Sequence, residues 1–292
     1  MTTDTDIANI STIYIGSGVR ERSVKEELAR DHPGHFQEYV FGHTIAAFHW
    51  EIYEIIMECF NNPQSWANPF MFLAPRDHAK TTILEATFCW HIGTNPLTLT
   101  QFIGSKLDNA KKRLKKVASC IKDNKRYNGM YGNLYPDSSE YTWNNEEIEV
   151  LRDRSRVWDE GGVERDPTCI ALGIETNVEG GRADLQGFDD IVTLANSRSE
   201  VTRAYISSKF WMSFAPMLLP DGVQLFAGTR YHFADQYQQF LPIFDTKREY
   251  VDDYALGGQS LDGMADEEMQ VHLKDLMEGN VGEVLIEGLP ND

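Results

Sequence analysis

The sequence predicts an α/β fold in which a mostly parallel sheet carries helices on both faces. Three observations predict it. Short apolar runs alternate with segments of helical period through residues 48–256, the pattern of strands joined by crossover helices. A basic loop, Ala74–Thr82, joins one such run to the helix that follows. An acid pair, Asp189-Asp190, and a Gly228-Thr229 step lie at the ends of two later runs. Ligands of such sheets bind beyond the carboxyl ends of the strands, where these three loops should converge.

Residues 1–47 read as an N-terminal extension or lid segment, loosely ordered to about residue 23. Ser23-Val24-Lys25-Glu26 has the form of a capping box and starts a helix. His32-Pro33-Gly34 reads as a turn, and His35 after it adds no metal site. A helix over Phe48–Phe60 has apolar residues at Phe48, Ile52, Ile55, Ile56 and Cys59, and Asn61-Asn62-Pro63 stops it. Pro69–Leu73 suits a buried strand, Thr81–Ile92 a helix, and Leu97–Ile103 a strand closed by Gly104-Ser105. Lys106–Ile121 is an amphipathic helix with Leu107, Ala110, Leu114, Val117 and Ile121 on one face. Its other face is basic: Lys106, Lys111, Lys112, Arg113, Lys115 and Lys116 suit a solvated surface, DNA phosphates or a neighbouring subunit's acids. Residues 127–167 are turn-rich with a strand at Glu147–Leu151. Cys169–Leu172, Phe188–Val192 and Val223–Ala227 are further strands, and Glu200–Phe214 is a helix. Arg248–Leu256 completes the sheet, and residues 257–292 form an acidic linker with one helix at Ala265–Met277.

Composition narrows the function. With 41% apolar and 25% charged residues over 292 positions, the chain is globular. Forty-five acids against 27 bases give a net charge of −18, which opposes indiscriminate nucleic-acid binding. Any DNA contact must therefore be focal or assembled from several subunits. Cys59, Cys89, Cys120 and Cys169 are too scattered for a zinc knuckle or a CxxC pair and read as buried free thiols in a reducing cytoplasm. The acidic, polar start lacks the form of a signal peptide, and no apolar run reaches the ~20 residues of a membrane span. A cytoplasmic protein without a membrane partner is expected.

Ala74-Pro75-Arg76-Asp77-His78-Ala79-Lys80-Thr81 follows a strand and opens a helix, the context of a GxxxxGK[ST] phosphate loop. Residues Pro75–Thr82 would bind the nucleotide: the loop's backbone N–H groups from Arg76 onward and the helix N-terminus would hold phosphates, Lys80 would reach the β- and γ-phosphates, and the Thr81 hydroxyl would ligate Mg²⁺. Ala74 and Ala79 replace both glycines. An alanine there adds a methyl group close to the phosphates and serves if its φ stays negative. The plain alternative is a helix N-terminus with an exposed lysine. Asp189 fits a water-mediated Mg²⁺ ligand, and Asp190 the carboxylate that orients or deprotonates an attacking water. Gln186 and Gly187 weaken the strand before them, and a solvated acidic turn is the alternative. Thr229, with Arg230 beside it, can hydrogen-bond toward a γ-phosphate and report its loss; a simple turn at Gly228 is the alternative.

On these residues the chain resembles the large terminase subunit of tailed bacteriophages from about His35 to Leu276. The likeness lies in Pro75–Thr82 with arginine four positions before lysine, in Phe102–Ser105 followed by Leu107–Ile121, in Gly181-Arg182-Ala183-Asp184-Leu185 running into Asp189–Val192, and in Gly228–His232 ahead of Asp235 and Tyr237. The resemblance implies a P-loop ATPase of RecA-like type that uses ATP and Mg²⁺ to drive double-stranded DNA into a capsid. Arg76 would contact the γ-phosphate in cis, Asp190 would stand for the catalytic glutamate, and Thr229 and Arg230 would be the coupling residues. Phe48-His49 lies at the adenine-recognition motif, with His49 in place of the usual glutamine; a core histidine is the alternative. Implied partners are the portal protein and a small terminase subunit, in a homo-oligomeric ring that isolated monomers form only when assembled. The implied place of action is the host cytoplasm, docked on the procapsid portal. A trans arginine finger would come from among Arg113, Arg152, Arg154, Arg156 and Arg203. The RNase H-like nuclease of the family finds no space in residues 257–292. Two other functions remain open: a helicase-like P-loop ATPase, and a non-hydrolysing nucleotide-binding scaffold.

Overall fold

The computed structural model describes residues 11–15, 18–65, 68–156, 166–176, 178, 180–231, 235, 237 and 238. In chain order, β1 (Ser11–Ile15) and β2 (Gly18–Arg22) precede α1 (Val24–Asp31), α2 (Pro33–Phe36) and α3 (Ala47–Asn61). Then come β3 (Phe70–Leu73), α4 (Lys80–Thr94), β4 (Thr100–Gly104), α5 (Leu107–Asp123), α6 (Lys125–Tyr131) and the short β5 (Glu147–Ile148). The rest is β6 (Cys169–Gly173), β7 (Ala183–Asp189), α7 (Leu194–Ser197), α8 (Glu200–Lys209) and β8 (Leu218–Gly228).

The fold is the expected α/β class. Among the described residues, six strands lie in the order β3-β8-β7-β4-β6-β5, parallel except for β5. The strand ending at Gly228 thus separates the strand before the basic loop from the strand ending at Asp189. Side chains alternate across the pleat into two cores. Phe102, Ala171, Leu185, Leu225 and Ala227 face α3 to α6. Ile103, Leu172, Phe188 and Phe226 face Ile206 of α8 together with Phe210 and Phe214. Phe188 and Phe226 are in register and stack at 4.4 Å. Ala29, Phe36 and Val40, from the segment set apart as an extension, belong to the first core.

Several expectations need correction. The stretch before residue 23 contains the antiparallel pair β1–β2. His32 is not a free turn; its Nδ1 accepts from Gly34 N and caps α2. Residues 125–131 form α6 because the Asn124 side chain accepts from Arg126 N and Tyr127 N. β5 stops at Ile148 since the next donors turn elsewhere: Glu149 N to Thr142 O and Leu151 N to Leu134 O. α8 stops at Lys209, and a π-helical turn, Phe210–Phe214, carries the chain on. β7 runs from Ala183 through Gln186 and Gly187 and ends at Asp189, so Asp190 to Val192 lie outside it. The helix expected at Ala265–Met277, the strand at Arg248–Leu256 and the rest of 257–292 lie outside the described residues.

Gln186 and Gly187 have physical reasons to be in a central strand. Gln101, Gln186 and Gln224 are in register on β4, β7 and β8. Their buried amides form a ladder: Gln224 Nε2 donates to Gln186 Oε1 at 2.7 Å, and Gln186 Nε2 to Gln101 Oε1 at 2.8 Å and Phe214 O at 2.9 Å. A Cβ on Gly187 would lie 2.5 Å from Phe88 Cε2, so only glycine lets α4 pack this closely. Asp184, at the start of β7, staples the far end of the sheet by accepting from Thr98 Oγ1 and from Leu99 N at 3.0 Å.

Candidate functional site

The three loops converge at the carboxyl edge of β3, β8 and β7. Ala74 N bonds to Gly228 O at 3.1 Å, and the Thr229 hydroxyl donates to Ala74 O at 3.1 Å, so the loop after β3 starts fastened to the end of β8. Asp77 and Ala79 then take left-handed backbone, at φ 66° and 54°. Ala79 therefore does not meet the condition of a negative φ. The turn into α4 demands a left-handed residue as N-cap, and here an alanine adopts it. Successive N–H groups in such turns form anion-binding concavities, and the first N–H groups of α4 have no acceptors within the helix.

Lys80, the first residue of α4, is 7% exposed. Its Nζ folds back to donate to Ala74 O at 2.6 Å and Pro75 O at 2.7 Å. Burial pulls its pKa below the usual lysine value, against the pull of Asp190 and Asp189. Thr81 Oγ1 donates to Asp189 Oδ1 at 2.8 Å. Thr82 borders a pocket of about 470 Å³ shared with Phe41, His43, Glu85 and Lys116.

Asp189 is 5% exposed. Burial raises its carboxyl pKa, while the Thr81 hydroxyl and the Arg113 guanidinium act to lower it. Asp190 takes φ 45° as the chain leaves β7, with its N–H on Ala227 O at 2.8 Å. Its Oδ1 is buried and has no hydrogen-bond partner among the described residues. A carboxylate oxygen left dry and unpaired is costly unless a ligand or water completes it.

Other candidates are arranged around this centre. Arg76 is exposed and donates from Nη2 to the Tyr231 hydroxyl at 3.1 Å, a bond that raises its pKa, with smaller support from Asp190 and Asp77. Arg230 is turned toward Asp235, with Nε 3.1 Å from Oδ1, and reaches Gln238 at 3.1 Å. His49, on α3, shares a 3.2 Å hydrogen bond between Nε2 and His78 O; its Nδ1 is buried without a partner among the described residues. Burial lowers the His49 pKa, which favours the neutral ring. Phe48 stands beside it, 6.0 Å from the His78 ring.

Sequence reasoning did not give three residues here the contacts they make. Arg113 of α5 donates from Nε to Asp189 Oδ2 at 3.0 Å. Glu85, one turn after Thr81 on α4, is buried at 4% exposure beside Arg113 and Lys116, and burial raises its pKa. Tyr237 roofs Gly228 so closely that a Cβ there would collide with the phenol oxygen. Arg113 was visible as one of several bases on a polar face and as a candidate trans finger, not as a partner of Asp189. Glu85 had a signal, an acid on a helix turn that is otherwise apolar. Of the proposed finger arginines, Arg113 is thus engaged in cis, Arg152 is buried beside Glu149, Arg154 makes a 2.7 Å ion pair with Glu149, and Arg203 donates to Ser197 O.

On the basic face of α5, Lys111 pairs with Glu146 at 2.7 Å and Lys116 with Glu85 at 3.2 Å; Lys106, Lys112 and Lys115 are exposed. All four cysteines are buried and free. Among the described residues no helix is long and apolar enough to cross a membrane.

No protein-family model matches the chain. No curated protein matches it either. Among solved structures it is similar to one described as the crystal structure of the HK97 bacteriophage large terminase. The TM-score is 0.44 and the identity 13%, over 82% of this chain and 49% of that one. The chain therefore spans about half the length of that protein.

Proposed function

We propose that this chain is an ATP-hydrolysing motor domain of the terminase large-subunit type, with residues 48–256 as its ATPase unit. The observation that carries the proposal is the convergence of Lys80, Thr81 and the acid pair, with Thr81 bonded to Asp189 at 2.8 Å and Asp190 Oδ1 buried and unpaired. Loop N–H groups and the start of α4 bind the phosphates. Lys80 exchanges the carbonyls of Ala74 and Pro75 for β- and γ-phosphate oxygens. Two hard oxygen donors, Thr81 Oγ1 and Asp189, fit Mg²⁺. Held there, Mg²⁺ would neutralise charge on the phosphates during transfer.

Asp190 Oδ1 accepts a hydrogen bond from the attacking water and takes its proton as the water oxygen bonds to γ-phosphorus and ADP leaves. Arg76, released from Tyr231, stabilises charge on the transferring phosphoryl group in cis. Thr229 reports loss of the γ-phosphate through its bond to Ala74 O, and Arg230 carries the change to Asp235. The base has two candidate contacts, the buried Nδ1 of His49 and the pocket beside Thr82. We extend the reading to translocation of double-stranded DNA in a homo-oligomeric ring with a portal protein and a small terminase subunit, in the host cytoplasm on the procapsid.

A second reading, nucleotide binding without hydrolysis, draws on the left-handed Ala79 and on Arg113 occupying Asp189. ATP binding and turnover by the purified chain, with and without DNA, separate the two. Turnover that needs Mg²⁺ and is lost in Lys80→Ala is the expected result. Tight binding without turnover, even with DNA, favours the second reading, and no binding at all rejects both.

A further inference from the structure

Asp189 has two carboxylate oxygens, and both are taken. Thr81 Oγ1 holds Oδ1 at 2.8 Å and Arg113 Nε holds Oδ2 at 3.0 Å. The carboxylate is 5% exposed, so little water screens what binds there. A divalent cation on this carboxylate would face the Arg113 guanidinium at close range, and two cations compete for one buried anion. Arg113 has a second acceptor within reach: its Nη1 lies 3.7 Å from Glu85 Oε1. That oxygen is buried and receives no hydrogen bond from the described residues, while Glu85 Oε2 is held by Lys116 Nζ at 3.2 Å. Glu85 plays no part in the proposed chemistry, yet it is buried one helical turn from Thr81 with one oxygen waiting for a donor.

The geometry points to Arg113 as a metal-responsive latch that closes on Asp189 and passes to Glu85 when a metal–nucleotide complex claims Asp189. This rests on the nucleotide-site reading above. Arg113 is a positioning residue in this account: it acts through Asp189 and touches no phosphate. Its second acceptor makes the exchange cheap, because the guanidinium leaves one buried carboxylate for another without crossing into solvent. The latch also ties α5 to the site, so occupancy of Asp189 is felt by the helix that carries Lys112 and Lys115.

The test is the Mg²⁺ dependence of ATP binding by the full chain, measured by calorimetry first in EDTA and then across a Mg²⁺ titration. Arg113→Gln removes the competitor and should lower the Mg²⁺ concentration at half-effect by about threefold or more. Glu85→Gln leaves the displaced guanidinium with a weaker acceptor and should raise it. Arg113→Lys keeps the charge but not the reach to both acids, and should fall between the parent and Arg113→Gln; it carries the test if Arg113→Gln does not fold. A Mg²⁺ requirement that is unchanged or raised in the Arg113 variants, with ATP binding in EDTA intact, overturns the latch and leaves the nucleotide site standing. A parent chain that binds no ATP under either condition overturns the nucleotide site and the latch with it.

Discussion

The hydroxyl of Thr81 donates to the carboxylate of Asp189 at 2.8 Å, joining the first turn of α4 to the end of β7. The bond opposes the burial that pushes the Asp189 carboxyl upward. Thr81→Ala removes a donor from a buried anion and should destabilise the fold by about 1.5–3 kcal/mol, the range for hydrogen bonds to charged groups. Thr81→Ser should recover most of it. Chemical denaturation of the three proteins measures both; equal stability of the alanine and parent proteins would mean that the bond contributes nothing.

Ala79 is an alanine in a glycine's conformation, at φ 54°. A left-handed alanine costs about 1–2 kcal/mol, and glycine's greater freedom in the unfolded chain returns about 0.5–1 kcal/mol of that. Ala79→Gly should therefore raise stability by up to about 1 kcal/mol and tighten phosphate binding, because the methyl group no longer limits approach. A fall in Tm would mean that the loop does not hold this conformation.

The amide ladder across β4, β7 and β8 makes a prediction about non-additivity. Gln186→Leu alone strands the amides of Gln101 and Gln224 and should cost about 1–3 kcal/mol. Replacing all three glutamines by leucine removes the unsatisfied groups together and should cost less than the sum of the single changes. Additive losses in urea melts would show that the three amides do not act as a unit.

How much of this was legible in the sequence follows from the range of each interaction. The basic loop, the helix after it and the order of the three strand-end loops are local patterns, readable from apolar runs and from Lys80, Asp189 and Thr229. The ladder was not, because Gln101, Gln186 and Gln224 are apolar-strand interruptions until register brings them side by side. Gly187 was misleading for the same reason: the residue that requires it, Phe88, lies on another element. Arg113 was one base among several on α5, and only packing distinguishes the one that turns inward to Asp189. The sign of φ at Ala79 is set by the turn geometry, which composition does not reveal.

If α5 meets DNA phosphate, the contact must come from its unspent charges, since Lys111 and Lys116 pair internally with Glu146 and Glu85. Lys112→Gln with Lys115→Gln should then flatten the dependence of log K on log salt by about 2, near 0.9 per phosphate contact. An unchanged slope would reject a phosphate contact for these lysines.

The account stands most directly on Asp190, and the measurement is ATP affinity beside ATP turnover in Asp190→Asn. The change keeps the shape of a side chain whose Oδ1 is buried and unpaired but removes its capacity to take a proton. General-base contributions run to about 10²–10⁴ in rate. The account predicts affinity close to that of the parent and turnover lower by at least about a hundredfold. Hydrolysis at the parental rate in Asp190→Asn would contradict it.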